Sequence, residues 1–434
     1  MKLYMLSLGC AKNLVDSEMI LGLLKKKMTL VEDVKEADLI IINTCAFIES
    51  ARKEAIDNIF NLIENKKESA KIVVVGCLAQ RYKDELIKEM PEIDRFIKID
   101  EYKDIASIIN DLMKSNFKNE DKIDPLQRLV TSPNYMRYIK ISEGCLNRCA
   151  FCAIPLIRGN LESRTIENIV EEVKNIVAEG VYEINLISQD TTKYGYDLYK
   201  RLALVDLLKE IVKIPGDFKV RILYLYPEVV TDELIDFIKN EPKMMHYFDI
   251  PMQHSETKIL KKMCRRSDKE ILTNLFHKIR REVPDAILRT TIIVGFPYEE
   301  ESDMDNLIDF IKDIKFDRLG AFTFSLEEGT KACEYPNIIS EETKQARYER
   351  LMKTQSEIAL ENNKNKLNTI LEDCFIIGYD EESYMYVARS YAYAPDEIDG
   401  CIYIASKREL SLGERVNVKV LDYDEYTLTG ELVE

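Results

Sequence analysis

Short apolar runs alternate with amphipathic segments along the first 115 residues of the chain. Runs of this length and apolar content are typical of buried parallel strands, and apolar positions spaced three and four apart predict a helix after each of them. The predicted strands are 3–8, 39–43 and 72–76, and the predicted helices are 15–27, 50–63 and 82–90. The pattern therefore predicts a doubly wound α/β domain over residues 1–115.

The same alternation resumes after a polar stretch, residues 116–133, which we interpret as a linker. Six further apolar runs alternate with helical patterns, and six βα units rather than eight predict a partial, open (β/α)6 barrel over residues 134–340. These runs are 138–141, 184–188, 220–225, 247–252, 287–295 and 319–324.

The last part of the chain changes character. Residues 341–366 are dense in Glu, Lys, Arg and Gln with a helical spacing, which predicts a bridging helix whose charges form a solvated face. Five β-rich runs follow between turn residues, and they predict a small antiparallel β-barrel over residues 367–434. The runs are 371–377, 384–390, 401–405, 415–421 and 426–432.

Composition adds three constraints to this three-part plan. The 46% hydrophobic content of 434 residues suffices for real cores, and the net charge of -16 argues against a general affinity for nucleic acid. Ten cysteines, with no long apolar segment near Met1, indicate metal chemistry in a reducing compartment rather than disulfides. We therefore expect a cytoplasmic protein with no membrane partner.

Three of the cysteines, Cys145, Cys149 and Cys152, stand just after the first barrel run. Thiolates this close can hold three corners of an iron-sulfur cluster, and no fourth cysteine follows for roughly a hundred residues. A cluster with three protein ligands leaves one iron open for a small molecule. The C-x3-C-x2-C spacing, with the aromatic Phe151 before the last cysteine, resembles the signature of radical S-adenosylmethionine (SAM) enzymes.

A second set of three cysteines is dispersed in the sequence but shares one structural position. Cys10, Cys45 and Cys77 each follow the carboxyl end of a predicted strand of the first domain. Because ligands of open parallel sheets bind at that edge, the three loops are expected to bring their thiols within reach of one another. This predicts a second cluster, again with an open iron. The cysteines outside the two sets are interpreted as core or neutral positions: Cys264, Cys333, Cys374 and Cys401.

The carboxyl ends of the barrel strands are where chemistry is expected. They single out Gln189 with Asp190, Gln253 with His254, and Gly295. We interpret His254 as a hydrogen-bonded structural residue. Gly295 either admits a tight turn or lets the backbone approach an adenine.

Several strings together resemble the methylthiotransferase family over essentially the whole chain. That family inserts a CH3-S group at an unactivated C-H bond, and its two main branches modify an adenosine in tRNA or an aspartate in ribosomal protein S12. The strings that resemble the S12 branch are SLGCAKNLVD at 7–16, CAIP at 152–155, SQDTTKYG at 188–195 and SYAYAPDEIDG at 390–400.

The resemblance implies two [4Fe-4S] clusters and SAM as cofactors, and a TRAM-like terminal barrel. Cys145, Cys149 and Cys152 would carry the cluster that cleaves SAM to a deoxyadenosyl radical. Cys10, Cys45 and Cys77 would carry a cluster that holds the sulfur. Phe151, Gln189, Gln253 and Gly295 are candidates for the SAM pocket. An external electron donor and a sulfur donor are implied as partners, besides S12.

Two alternatives remain open from the sequence. The nearer one is a tRNA adenosine methylthiotransferase with a terminal barrel that binds RNA. The other is a non-enzymatic iron-sulfur electron carrier or sensor, which normally closes its clusters with four cysteines. Residues 361–434 contain sixteen acidic and seven basic residues, about -9 in formal charge. That sign predicts little direct RNA binding by the terminal barrel and suits a basic ribosomal protein.

Overall fold

The structure is a computed structural model that describes residues 1–115, 118, 121–396 and 398–433. It divides into two compact units. Unit 1 comprises Met1–Ser132, Tyr138–Glu172 and Ser325–Cys333; unit 2 comprises Pro133–Arg137, Val173–Phe324 and Glu334–Glu434. The predicted domain boundaries at 115, 133, 340 and 366 stay predictions, and residues 116, 117, 119 and 120 of the predicted linker lie outside the described residues.

Unit 1 opens with a five-stranded parallel sheet in the order β2-β1-β3-β4-β5. This order confirms the predicted doubly wound α/β domain. Its elements are β1 (Lys2–Ser7), α1 (Ala11–Leu24), β2 (Thr29–Leu30), β3 (Leu39–Thr44), α2 (Glu49–Asn65), β4 (Lys71–Gly76), α3 (Cys77–Glu89), β5 (Arg95–Ile97) and α4 (Ile105–Met113). The apolar runs predicted β1, β3 and β4, whereas β2 and β5 are too short to show a pattern.

The central strands are apolar throughout because helices cover both faces of the sheet. In β3, Ile40 and Ile42 pack into the core beneath α2 and α3. Their neighbours Leu39 and Ile41 point the other way, into the core beneath α1 and α4. With both faces buried, the carboxyl edge of the sheet is the part left for ligands.

Residues 138–172 of the next segment belong to unit 1 and include the loop with the clustered cysteines. The elements of this segment are β6 (Met136–Lys140), β7 (Ser142–Glu143), α5 (Ile154–Arg158), β8 (Glu162–Ser163) and α6 (Ile166–Ala178). Strands β7 and β8 pair antiparallel, with Ser142 opposite Ser163 and Glu143 opposite Glu162. This short ladder closes the base of the loop that carries Cys145, Cys149 and Cys152.

The second sheet has six strands in the order β13-β12-β11-β10-β9-β6, which confirms the partial barrel. The registers from β9 to β13 are parallel. Its further elements are β9 (Glu183–Ile187), α7 (Tyr196–Tyr199), α8 (Leu204–Ile211), β10 (Lys219–Ile222), α9 (Asp232–Asn240), β11 (Met244–Asp249), α10 (Thr257–Lys262), α11 (Lys269–Glu282), β12 (Ile287–Val294), α12 (Glu301–Ile314) and β13 (Arg318–Thr323).

Helix α13 (Glu341–Lys364) occupies the predicted bridging segment. Its charges do not all form a solvated face, so that interpretation is wrong for two of them. Lys344 and Arg347 are buried. Nζ of Lys344 donates to the carbonyl of Phe324 at 3.0 Å, and Arg347 donates to Oε1 of Glu299 at 2.8 Å. The helix packs on the edge of the sheet, where free carbonyl and carboxylate groups compensate these cations.

The terminal strands close into a barrel in the order β14-β15-β16-β18-β17. They are β14 (Ile370–Asp380), β15 (Met385–Arg389), β16 (Cys401–Ala405), β17 (Arg415–Tyr423) and β18 (Thr427–Val433). Four pairings are antiparallel as predicted, but β16 and β18 run parallel. The periodicity of a strand does not encode the direction of its neighbour, so the parallel pairing of β16 and β18 could not be predicted from the sequence.

Arginines of the partial barrel hold the loop between β15 and β16. Arg221 of β10 donates to the carbonyl of Tyr391 at 3.0 Å, and Arg318 of β13 donates to that of Ala392 at 3.3 Å. Tyr393 is fully buried. Residues 390 and 392–395 are therefore part of the core of unit 2, whereas Ile398 is exposed and Glu397 lies outside the described residues.

None of the described helices has the length and apolar character needed to cross a lipid bilayer.

Candidate functional site

The three dispersed cysteines lie at the carboxyl edge of the first sheet, as predicted from their strand-end positions. Cys10 caps the amino end of α1 after β1, Cys45 directly follows β3, and Cys77 is the first residue of α3 after β4. The strand order reverses between β1 and β3, which places Cys10 and Cys45 on either side of the switch point where such sheets bind ligands. Helix amino ends also favour a thiolate at Cys10 and Cys77.

The loops of this edge are in close contact. Gly9 has φ +86°, and a Cβ atom there would lie 2.8 Å from the Cβ of Cys45. Only glycine adopts this backbone without strain and leaves that space free. The loop of Cys10 therefore lies directly against that of Cys45.

Asn13 ties the three loops together from behind. Its Nδ2 donates to the carbonyl of Leu8 at 3.0 Å and to that of Thr44 at 3.2 Å. Its Oδ1 accepts from the Cys77 thiol at 3.7 Å. Asn13 is fully buried, so each bond is shielded from water. Asn13 lies within the string at 7–16, but nothing in the local pattern distinguishes it from its neighbours.

The thiols of this set differ in acidity. Crowding opposes ionisation of Cys10, but the positive charges of Lys12 and Arg158 and the backbone N-H groups of α1 outweigh it and lower its pKa. Burial, with Cys77 nearby, raises the pKa of Cys45 to about 11. Burial also raises the pKa of Cys77, against the pull of Arg158. Because a metal binds thiolates, a cluster that forms here displaces the protons of Cys45 and Cys77.

The clustered cysteines lie on the loop between β7 and α5. The backbone N-H of Cys145 donates to the carbonyl of Gly159 at 3.2 Å, which closes the neck of the loop. The N-H of Cys152 donates to the carbonyl of Cys149 at 3.0 Å, and that of Asn147 to Sγ of Cys145 at 3.4 Å. All three thiols are partly exposed. Phe151, next to Cys152, is half-buried.

Both sets have the donor chemistry of an iron-sulfur site, namely three thiols on closely packed loops with at least one side open. Among the described residues, no three His, Cys, Asp or Glu side chains are already arranged to hold a metal ion. The two sets are thus candidate ligand sets by residue type and by the packing of their loops, and neither is a preformed metal site.

Three of the four candidates for the SAM pocket lie in unit 2, each beyond the carboxyl end of a strand, and Phe151 lies in unit 1. Gln189 follows β9 and is half-buried. Gln253 follows β11 with φ +73°, and its backbone bonds Thr291 and Ile293 at 2.9 and 2.8 Å. A left-handed glutamine fixed by two backbone bonds is the kind of strained residue that clusters at functional sites.

Gly295, beyond β12, has φ +73°, and a Cβ atom there would lie 2.3 Å from Cγ of Lys344. Its N-H donates to both carboxylate oxygens of Glu299 at 3.0 Å. The glycine thus admits the passage of α13, which accounts for it without a ligand. His254 accepts from the N-H of Glu256 at 3.0 Å and is fully buried, in line with the structural role expected of it.

Three family models match successive parts of the chain. The Uncharacterized protein family UPF0004 matches residues 2–98, the Radical SAM superfamily residues 139–311, and the TRAM domain residues 367–433. The first match spans the sheet with the dispersed cysteines, and the second begins just before the clustered ones.

Curated relatives match over the whole length. The ribosomal protein uS12 methylthiotransferase RimO of Acetivibrio thermocellus is 45% identical, with 100% of this chain and 98% of the relative covered. The protein of the same name from Geobacter sulfurreducens is 43% identical, with 100% and 98% covered. The chain belongs to the RimO family. Membership of the RimO family confirms the predicted enzyme class, a radical SAM methylthiotransferase, over the electron carrier or sensor.

Solved structures show the same fold at low identity. The radical SAM methyltransferase TsrM from Kitasatospora setae superposes with a TM-score of 0.56 at 13% identity, over 74% of each chain. At this identity the similarity supports the fold of the RimO-family chain and no more.

Proposed function

We propose that this chain inserts a methylthio group at the β-carbon of an aspartate in ribosomal protein S12. The observation that carries the proposal is the presence of two separate three-thiol sets in a chain that belongs to the RimO family. The hydrogen on that carbon is too weakly acidic for a side-chain base to remove as a proton at a useful rate, so a radical is required.

Each thiol set has its own role in this proposal. Cys145, Cys149 and Cys152 would hold a [4Fe-4S] cluster that leaves one iron open for SAM. A second [4Fe-4S] cluster would be held by Cys10, Cys45 and Cys77. When bound, the clusters and SAM supply the deoxyadenosyl radical, the methyl group and a place to keep the sulfur.

The protein's own contribution is positioning. The bond from Cys145 N-H to the Gly159 carbonyl and the β7-β8 ladder fix the base of the clustered loop. Asn13 fixes the loops of the other set. We assign Phe151, Gln189, Gln253 and Gly295 to contacts with SAM; for Gly295 the contact would be through backbone, since its side-chain position faces Lys344.

S12 is a basic protein, and the acidic terminal barrel suits it as a partner. An external electron donor must reduce the cluster that binds SAM, and a sulfur donor must supply the inserted sulfur atom. A ribosomal substrate places the reaction in the cytoplasm.

The deciding experiment is mass spectrometry of S12 and of tRNA from cells with and without this chain. The expected result is that an S12 peptide loses the mass of a methylthio group when the chain is absent, while the modified nucleosides of tRNA are unchanged. A matched strain that carries Cys10, Cys45 and Cys77 all replaced by Ala should resemble the deletion. Loss of a methylthio group from tRNA alone would replace the proposal with the tRNA branch.

A further inference from the structure

Arg158, the last residue of α5, is a buried cation with four partners in unit 1. Its Nη1 donates to Oδ2 of Asp16 at 2.8 Å and to Oε2 of Glu143 at 2.9 Å. Its Nη2 donates to Oδ1 of Asn13 at 2.6 Å and lies 3.7 Å from Sγ of Cys77. The side chain is only 2% exposed.

These partners lie on the segments that carry the two thiol sets. Glu143 and Arg158 are the residues at the two ends of the clustered loop, just before Cys145 and after Cys152. Asn13 and Asp16 lie on α1, the helix that Cys10 caps. One guanidinium therefore joins both ends of the clustered loop to the helix and the thiol of the other set.

The charge balance shows that Arg158 does more than neutralise the carboxylates. Lys140 also pairs with Asp16 and with Glu143, at 2.7 Å in the second case, so two cations face two carboxylates. In this balanced group the second nitrogen of Arg158 is turned away from the acids, toward an amide oxygen and a thiol. The planar fork of a guanidinium can serve both sides at once, whereas the single ammonium group of lysine cannot.

A buried ion network is not needed for stability alone, because apolar side chains of similar volume often stabilise a fold equally well. An N-H directed at a ligating sulfur has a separate effect. Hydrogen bonds and positive charge beside cluster sulfurs stabilise the reduced, more negative state and raise the reduction potential.

We propose that Arg158 is a positioning residue that fixes the clustered loop against the Cys10, Cys45 and Cys77 edge and directs one N-H at the Cys77 sulfur of the bound cluster. This inference rests on the proposed function, since it takes Cys77 as a cluster ligand. The effect of Arg158 can be measured as the reduction potential of the cluster, without any measurement of enzymatic turnover.

The experiment uses the full chain with Cys145, Cys149 and Cys152 replaced by Ala, so that only the cluster on the other set forms. This background is reconstituted anaerobically with iron and sulfide, and its reduction potential is measured by dithionite titration followed by electron paramagnetic resonance. The variants are Arg158→Gln and Arg158→Lys. The matched control is Arg128→Gln. Arg128 is also buried and forms ion pairs with two carboxylates, Glu18 and Glu172, and neither of these ion pairs involves a cysteine.

The expected result is a shift to more negative potential in Arg158→Gln, a smaller shift in Arg158→Lys, and none in Arg128→Gln. Arg158→Gln leaves a carboxylate uncompensated and could weaken folding, so the double variant Arg158→Gln with Glu143→Gln, which restores the charge balance, is measured beside it. The same negative shift is expected in the double variant.

A second readout tests the positioning. In the chain that keeps the six cysteines of the two sets, the magnetic coupling between the two reduced clusters should give one defined spectrum, and Arg158→Gln should broaden it. Unchanged potential and unchanged coupling in variants that still hold their iron would overturn the role of Arg158 and leave the proposed function standing. A background protein that binds no cluster at Cys10, Cys45 and Cys77 would overturn both.

Discussion

Arg289 joins a strand of the partial barrel to the loop that leads into the terminal barrel, since its Nε donates to Oδ2 of Asp399 at 3.3 Å. Asp399 also accepts from the N-H of Ala394 at 3.2 Å and from the hydroxyl of Tyr247 at 3.4 Å. The other side of Arg289 pairs with Asp249 at 3.1 Å. The terminal barrel is thus anchored through its own loop rather than tethered by a flexible linker.

Replacing Asp399 by Asn should lower the free energy of unfolding of the full chain. We expect a loss of about 1–3 kcal/mol, because the largely buried guanidinium of Arg289 loses one of its two carboxylates. Denaturant unfolding measures it, and proteolysis within 390–400 should become faster. Glu381→Gln, an exposed change in the same barrel, is the control. Equal stability of Asp399→Asn and the parent chain would show that this ion pair does not anchor the loop.

The acid sensitivity of unit 2 should depend on Glu183. Burial opposes its ionisation, but Arg389 and Arg221 outweigh burial and lower its pKa from 4.5 to about 2. A lowered pKa in the folded state contributes stability that is present above about pH 4.5 and lost as the pH falls toward 2. The free energy of unfolding should therefore decline over this window.

Glu183→Gln tests that expectation, because it removes the titrating group. It should cost about 3–5 kcal/mol near neutral pH, since Arg389 and Arg221 stay buried without their carboxylate. Urea unfolding at a series of pH values should give a shallower decline below pH 4.5 than in the parent chain. Parallel curves for the two proteins would assign the acid sensitivity to other groups.

The sequence predicted the elements that have a local signature and missed those set by tertiary contacts. Residues 39–43 form a strand because a continuous apolar run has no other stable place than between two helical layers. Lys344 looked like a surface residue, since nothing local shows that the carbonyl of Phe324 lies above it. Strand-end positions located the dispersed cysteines, whereas Asn13 and Arg158 needed the fold, because their partners are far away in sequence.

The anaerobically purified and reconstituted chain should carry two [4Fe-4S] clusters. The expectation follows from the two three-thiol sets, and it corresponds to about eight iron atoms per chain. Iron and sulfide analysis measures it. Iron for only one cluster, or stoichiometric zinc in its place, would contradict the proposed mechanism.

Replacing each thiol set should separate the two roles. Cys145, Cys149 and Cys152 changed together to Ala should abolish reductive cleavage of SAM, because the open iron is lost. The same change at Cys10, Cys45 and Cys77 should leave cleavage to deoxyadenosine measurable and remove methylthiolation. Chromatography of the SAM products measures both. Absence of cleavage in the second variant, folded and with its other cluster intact, would refute this division of roles.

The terminal barrel should favour a basic protein over RNA, and its ion pairs strengthen the argument from net charge. Among its basic residues, Arg389 is buried against Glu183, Arg408 pairs with Glu414 at 2.6 Å, and Arg415 pairs with Asp217 at 2.8 Å. Arg389 is therefore shielded from solvent, and the exposed Arg408 and Arg415 each lie beside a carboxylate. Phosphates approaching the barrel would therefore meet mainly its exposed carboxylates.

We expect the full chain to bind S12 in a salt-sensitive way and tRNA negligibly under the same conditions. The full chain is the right reagent, because residues 390 and 392–395 of the terminal barrel's own loop are buried in unit 2, where the carbonyls of Tyr391 and Ala392 accept from arginines of the partial barrel. Glu381→Lys with Glu382→Lys, both exposed on the β14-β15 turn, should weaken S12 binding and flatten its salt dependence. Glu64→Lys with Glu68→Lys changes the net charge equally on exposed positions of unit 1 and should have little effect. Titration of S12 and of tRNA at several salt concentrations measures both effects. Equal weakening of S12 binding by the two double variants would mean that net charge alone attracts S12. Tighter binding of tRNA than of S12 would favour the tRNA branch.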